Sequence, residues 1–195
     1  MTLFINRLEE FNTLNNHWES SSSQLLIVYG KRRVGKTQLL KEFLRNKPGI
    51  YFLAKKVREE ENLAELGRVV GNFYQDDFLA EQGFKKWDQF FSYLEKKLTG
   101  PGARRVVLVV DEFPYLVEVN KGISSIFQAG WDERLKDTAA FFILCGSSIG
   151  MMEEETLAYR APLYGRRTGQ LFVKPMTFSA ARQFFPGKNF EETMR

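Results

Sequence analysis

The chain has one cysteine and one histidine in 195 residues. A single cysteine excludes an intramolecular disulfide framework, and because Cys145 lies in an apolar run it indicates a reducing compartment. Zinc sites built from several Cys and His ligands are excluded as well. A Ser-His-Asp triad would need His17, which sits in an amphipathic N-terminal segment, so we set that chemistry aside.

Long apolar runs are also missing. No stretch approaches the ~18 residues that cross a bilayer, and Met1–Phe4 is followed by charged residues rather than by the apolar centre of a signal peptide. We therefore expect a cytoplasmic protein with no membrane partner. A length of 195 residues suits one α/β domain, or one domain and the start of another.

The formal net charge of +4 is modest. Basic residues cluster at 31–33, 104–105 and 166–167, and acidic runs at 59–61 and 153–155 offset them. A basic balance can indicate a nucleic-acid partner. Two of the basic clusters could equally serve a bound triphosphate, so charge favours nucleic acid only weakly.

One stretch carries the strongest functional signal. An aliphatic run at 25–29 leads into G-x-x-x-x-G-K-T and then into residues with helical spacing, which is the context expected of a P-loop. Its glycines let backbone amides surround phosphates at the start of a helix. Lys36 is expected to reach the β- and γ-phosphates, and the Thr37 hydroxyl to bind Mg²⁺. The predicted nucleotide-binding residues are Gly30, Lys31, Arg32, Arg33, Val34, Gly35, Lys36, Thr37 and Gln38.

A second apolar run, at 106–110, ends in Asp111 and Glu112. Such a run is typical of a strand buried on both faces of a parallel sheet, and open α/β sheets bind ligands at the carboxyl ends of their strands. Asp111 is expected to hold Mg²⁺ through water, and Glu112 to polarise the attacking water. The alternative is a strand that ends in solvated acids.

A third buried strand is predicted at 141–146, ending in Ser147 and Ser148. A hydroxyl in this place can sense the γ-phosphate or hold the water, and Ser147 is the first candidate. Capping of the following helix by the same serines is the alternative.

Several further elements follow from apolar spacing. A helix is predicted after Asn6, its expected N-cap, and Ile5, Asn6 and Arg7 either line a base pocket beside the P-loop or only begin this helix. Other predictions are a strand at 50–53, helix throughout 58–98, a helix at 123–135, a strand at 171–173, and a helix after Thr177 that reaches Phe184 and Phe185.

In this order the motifs resemble the archaeal-type ATPases of the STAND/AAA+ group of P-loop NTPases, specifically the archaeal and bacterial "ATPase 2" domain family. The resemblance covers residues 4–185. It rests on segments 4–10, 29–37, 109–115, 145–152 and 162–167.

The resemblance implies an α/β fold of three layers with a five-stranded parallel sheet in the order 5-1-4-3-2, the strand before Ser147 lying between the P-loop strand and the Asp111 strand. It implies ATP or ADP with Mg²⁺ as ligands, and adenine contacts from Ile5, Asn6 and Arg7. It also implies that Arg166 or Arg167 acts on the γ-phosphate, within one subunit or between subunits of a homo-oligomer.

The resemblance also implies a longer architecture, in which a helical lid and a winged helix follow the ATPase core. We therefore expect a fragment in which residues 1–24 form an N-terminal helix and adenine-side box, 25–176 the ATPase core, and 177–195 the start of a truncated lid. Weaker nucleotide affinity and hydrolysis, and an exposed apolar surface, are expected consequences.

Four functions compete. The first is an ATP-hydrolysing switch within a larger regulatory ATPase, with protein or DNA partners reached through missing domains. The second is a DNA-associated AAA+ ATPase of the origin-recognition or transposition-helper kind. A small-molecule kinase is disfavoured by the Asp-Glu pair, and a GTPase by the lack of an Asn-Lys-x-Asp motif, since Asn46-Lys47-Pro48-Gly49 lacks the acid.

Overall fold

The computed structural model describes residues 7–183, in which strands and helices alternate. The strands are β1 (Gln24–Tyr29), β2 (Gly49–Leu53), β3 (Val106–Asp111), β4 (Ala140–Gly146) and β5 (Gly169–Phe172). The helices are α1 (Leu8–Trp18), α2 (Lys36–Leu44), α3 (Glu59–Tyr74), α4 (Asp77–Gln82), α5 (Trp87–Leu98), α6 (Phe113–Val119), α7 (Ile123–Gly130), α8 (Ile149–Met152) and α9 (Phe178–Arg182). π-Helical turns extend α7 over Trp131–Leu135 and α8 over Glu153–Leu157.

The five strands form one parallel sheet in the order β2-β3-β4-β1-β5. This is the predicted order 5-1-4-3-2 in the opposite direction, so the fold prediction is confirmed. β4 lies between β1 and β3, as expected. Because all strands are parallel, the loops after β1, β3 and β4 meet at one edge of the sheet.

Helices cover both faces of the sheet, which gives the three predicted layers. Residues of β1 alternate between the faces: Leu25 and Ile27 join the core under α3, α5 and α7, whereas Leu26 and Val28 join the core under α1 and α2. The strands β1, β3 and β4 are buried over their whole length, as continuous apolar runs predict. None of the helices in residues 7–183 combines the length and the apolar character that a bilayer-spanning helix needs.

The segment 58–98 is three helices, so the prediction of continuous helix was wrong. Gln75 adopts a left-handed conformation with φ 55°, and the Asp76 carboxylate then accepts the Leu79 amide to cap α4. Gly83 ends α4 with φ 65°, and a Cβ there would lie 2.6 Å from the Ala64 Cα. The close packing of α3 against the end of α4 therefore requires a break that helical periodicity does not reveal.

Smaller differences concern the helix ends. Arg7 occupies the N-cap position of α1, and Asn6, the predicted cap, lies outside the described residues. The helix α6 was not predicted, and Pro114 falls in its first turn, where proline is tolerated. The Thr177 hydroxyl accepts the Ala180 amide, as a cap would, while Phe184 and Phe185 lie outside the described residues.

Candidate active site

The ends of β1, β3 and β4 bring three predicted motifs together. They surround a cavity of about 510 Å³. Its lining residues are Arg32, Arg33, Gly35, Lys36, Thr37, Gln38, Glu112 and Ser147. The sequence stretches that supply them are up to about 115 residues apart in the chain, and the sheet topology alone makes them neighbours.

The loop between β1 and α2 turns through positive φ at Gly30 (152°), Arg33 (64°) and Gly35 (94°). A Cβ at Gly30 would lie 2.3 Å from the Val173 carbonyl oxygen, so glycine is required by the chain after β5. The Lys36 ammonium is buried and donates to the carbonyls of Gly30 and Lys31, both at 2.8 Å. The Lys31 side chain is exposed.

The Asp111 carboxylate is buried and held by three donors. Its Oδ2 accepts the Thr37 hydroxyl at 2.7 Å and the Tyr51 hydroxyl at 2.6 Å, and its Oδ1 accepts the Glu112 amide at 2.9 Å. Burial, and then the bond to Asp111, raise the pKa of Tyr51, so the phenol stays protonated and donates. The thiol of Cys145 is fully buried beside the same carboxylate, and burial raises its pKa.

These oxygens fit Mg²⁺. The metal prefers one or two protein oxygen ligands together with substrate phosphates and water. The hydroxyl of Thr37, which lines the cavity, contacts the buried carboxylate of Asp111. No cluster of three or more His, Cys, Asp or Glu within residues 7–183 suits a metal. A hydroxyl and a single carboxylate suit a cation that is bound jointly with phosphate and water.

Glu112 faces Ser147 across the cavity. Glu112 adopts a left-handed conformation with φ 56° at the start of α6, and its Oε2 accepts the Ser147 hydroxyl at 2.9 Å. The loop residue Arg32 donates to Ser147 Oγ at 3.4 Å and to the Tyr115 hydroxyl at 2.9 Å. One hydrogen-bonded chain thus joins the P-loop to the segments that directly follow β3 and β4.

The N-terminal side is described only from Arg7 onward, so Ile5 and Asn6 lie outside the described residues. The Arg7 guanidinium is buried, pairs with Glu10 and donates to the Val34 carbonyl of the P-loop. It borders a second cavity of about 480 Å³, which residues 8–10 and 174–177 also line.

The two arginines of the Gly165-Arg166-Arg167 segment do not line the 510 Å³ cavity. Arg166 forms an ion pair with Asp132 at 2.8 Å. Arg167 donates to the carbonyls of Thr156, Leu157 and Tyr164. The fold therefore keeps these two candidate residues away from the cavity.

Three contributors were not predicted as site residues: Tyr51, Asp132 and Tyr115, the last of which ends the segment 109–115 that carries the resemblance. Tyr51 belongs to β2, whose register pairs it with Val109 and so places it one strand away from Asp111. The apolar pattern of β2 gave no sign of this, because a tyrosine in a strand is ordinarily a packing residue. Strand order, once known, is the signal that could have found it.

A family model described as an ATPase domain, predominantly from Archaea, matches residues 4–194. The chain belongs to this family. The resemblance predicted from the motifs is thereby confirmed, and this ATPase-family domain has the fold and the loop expected of a nucleotide-binding module.

Several relatives are longer than this chain. An uncharacterized protein of Methanocaldococcus jannaschii is 36% identical over 190 residues, which are 97% of this chain and 40% of that protein. A Walker-type ATPase of Pyrococcus abyssi superposes with a TM-score of 0.66 at 26% identity, covering 93% of this chain and 57% of the other. The Aeropyrum pernix ORC2 protein in ADPNP-ADP complexes gives 0.64 at 13% identity, with 94% and 52% covered, a likeness of fold alone.

Proposed function

We propose that this domain binds ATP with Mg²⁺ in the 510 Å³ cavity, hydrolyses it, and acts as a nucleotide-dependent switch within a larger regulatory ATPase. One observation carries the proposal: the Thr37–Asp111 and Glu112–Ser147 contacts converge on the same cavity at the P-loop. A solvated acid would have no reason to be buried and bonded to Thr37 as Asp111 is.

Each group has a part in the proposed reaction. Amides of the loop and the Lys36 ammonium bind the β- and γ-phosphates. Thr37 and Asp111 would hold Mg²⁺, which when bound supplies charge neutralisation at the phosphate oxygens. Glu112 accepts the proton of the attacking water through Oε1, since Ser147 occupies Oε2 and fixes the carboxylate.

The proposal is tested by titrating ATP and GTP, with Mg²⁺, against the domain and two variants. We expect ATP to bind in preference to GTP, because no guanine-reading motif is present. Glu112→Gln should keep binding and lose turnover by about 10²-fold or more, whereas Lys36→Ala should lose binding itself. Hydrolysis by the Glu112→Gln variant at the original rate would contradict the role of Glu112.

We propose that residues 25–176 form the ATPase core, that 1–24 form the adenine side and that 177–195 begin a lid. The parts of the protein that respond to the switch are proposed to lie beyond that core. The chain spans 40% of its relative from Methanocaldococcus jannaschii, which leaves room for such parts.

A DNA partner, the second candidate from the sequence, would be recognised by an affinity that falls steeply with salt. Binding that does not depend on salt, or no binding to DNA, would count against it.

A further inference from the structure

Arg7 connects the start of α1 to the phosphate-binding loop. Only 6% of its side chain is exposed. One terminal nitrogen donates to Glu10 Oε1 at 2.6 Å and the other to the Val34 carbonyl oxygen at 2.6 Å, across 27 positions of sequence. A single planar group thus bonds to α1 and to the loop at once, and guanidinium is the side chain that can do so.

The Val34 carbonyl matters because of how an anion-binding loop is built. Its amides point toward the phosphates, so several carbonyls must point the other way and find donors there. Lys36 supplies donors for the carbonyls of Gly30 and Lys31. Arg7 supplies the donor for Val34, directly before Gly35 and Lys36, where the loop turns into α2.

The charge of Arg7 is balanced locally. Glu10 is only 18% exposed and lies one helical turn away, so the ion pair is shielded from solvent. The Arg7 Nε is buried and has no hydrogen-bond partner among the described residues. An adenine contact, as the resemblance implies, would have to come through this nitrogen beside the 480 Å³ cavity, because both terminal nitrogens already donate to the protein.

We propose that Arg7 is a positioning residue for phosphate binding, with Glu10 holding it in place. Arg7 fixes the Val34 carbonyl and thereby keeps the amides of residues 34–36 turned toward the phosphates. The inference rests on the proposed function, because it assumes that the loop binds a polyphosphate. A positioning role differs from an adenine contact in one measurable respect: substitution of Arg7 must also weaken the binding of a ligand that has no base.

The probe is inorganic tripolyphosphate with Mg²⁺, compared with ATP by calorimetry on the same protein. For Arg7→Gln we expect a loss of affinity of about tenfold or more for both ligands, and by a similar factor. Arg45 provides the control, since it directly follows α2 and also pairs with an acid three positions away, Glu42, at 2.9 Å, but at the end of the helix remote from the loop. Arg45→Gln should bind both ligands as the original chain does.

Two outcomes would overturn the inference. A loss for ATP with unchanged tripolyphosphate binding would assign Arg7 to the base. Unchanged affinity for both ligands, even with a lower melting temperature, would mean that Arg7 only stabilises the start of α1.

Glu10→Gln serves as the second variant if Arg7→Gln does not fold. It keeps an acceptor for Arg7 but removes the charge, so we expect a smaller loss that is again equal for the two ligands; an unequal loss, or none, would count against the inference. If the original chain bound neither ligand, the failure would belong to the proposed function and not to Arg7.

Discussion

Both oxygens of the Asp111 carboxylate accept hydrogen bonds: from Thr37 at the P-loop, from the adjoining amide of Glu112, and from Tyr51 of β2. The Tyr51 hydroxyl holds the carboxylate from the side of β2, while Thr37 approaches from the loop. A residue that orients a metal-binding carboxylate commonly affects metal affinity nearly as much as a direct ligand does. We therefore expect Tyr51 to affect metal binding through Asp111, a role that the phosphate contacts alone would not reveal.

Tyr51→Phe isolates that role because the ring is kept and only the hydroxyl is removed. We expect the Mg²⁺ concentration needed for half-maximal ATP binding to rise by about tenfold. Affinity for ATP in the presence of EDTA should stay as it was, since the loop is untouched. An unchanged Mg²⁺ requirement in the variant would show that Thr37 and the Glu112 amide orient Asp111 without help.

Ser147 and Ser148 are neighbouring serines with different hydrogen bonds. The Ser147 hydroxyl donates to Glu112, whereas Ser148 at the start of α8 makes no side-chain cap hydrogen bond. We expect Ser147→Ala to lower the turnover of ATP by about tenfold or more with little change in nucleotide affinity. Ser148→Ala should remain close to the original rate; equal effects in both variants would support the capping interpretation.

Prediction from the sequence succeeded for the buried strands, because a continuous apolar run has one ordinary use in a parallel sheet. Gly30 and Gly35 of the loop take the positive φ for which glycine is suited, and the sheet brings this loop beside Glu112 and Ser147. The prediction failed to notice Tyr51 and Asp132, because tyrosine in a strand and aspartate in a helix have many uses. Their partners are set by strand order and by loop paths, which apolar periodicity does not encode.

At the scale of elements, the break between α3 and α4 is the clearest departure from expectation. The Asp76 carboxylate caps α4 through the Leu79 amide at 3.0 Å and also accepts the Tyr93 hydroxyl of α5 at 3.0 Å. One side chain thus starts a helix and connects it to the next. The bond to the Leu79 amide, followed by that to Tyr93, lowers the pKa of Asp76 below its ordinary value of 3.8.

Asp76→Ala should destabilise the domain near pH 7, because the amide of Leu79 and the hydroxyl of Tyr93 both lose an acceptor. A carboxylate with a lowered folded-state pKa contributes stability above its unfolded pKa and loses it as pH falls through the folded value. The difference between the variant and the original chain should therefore shrink below about pH 4. Urea unfolding at several pH values measures it.

Asp76→Asn is the control for the charge, since the amide oxygen can still cap α4. We expect its stability near pH 7 to lie between those of the original chain and Asp76→Ala. A gap between the original chain and Asp76→Ala that stayed constant down to pH 3 would mean that the carboxylate charge has no part in joining α4 to α5.

At the scale of the whole molecule, Arg166 raises the question of assembly. Its ion pair with Asp132 and its position outside the cavity lining argue against contact with a nucleotide in its own subunit. The role on the γ-phosphate that the resemblance implies therefore requires a neighbouring copy. Arg166→Ala and Lys36→Ala should then each be inactive alone, but a mixture should recover about a quarter of the activity through random assortment. ATP turnover in the mixture is the measurement.

A mixture of Lys36→Ala with Glu112→Gln provides the control, because both variants damage the same site and no copy is left competent. Light scattering establishes whether the copies associate at all. Absence of recovery in an associating mixture would return Arg166 to a structural role beside Asp132.

The burial of Cys145 has a practical consequence. It is the only thiol in the sequence, none of its side chain is exposed, and burial raises its pKa, so it is a poor target for maleimide reagents. A cysteine introduced at Thr177, an exposed position on the rim of the 480 Å³ cavity, can accept a fluorophore while Cys145 stays in place. The domain is therefore suited to single-site labelling next to the region where the base of a nucleotide is proposed to lie.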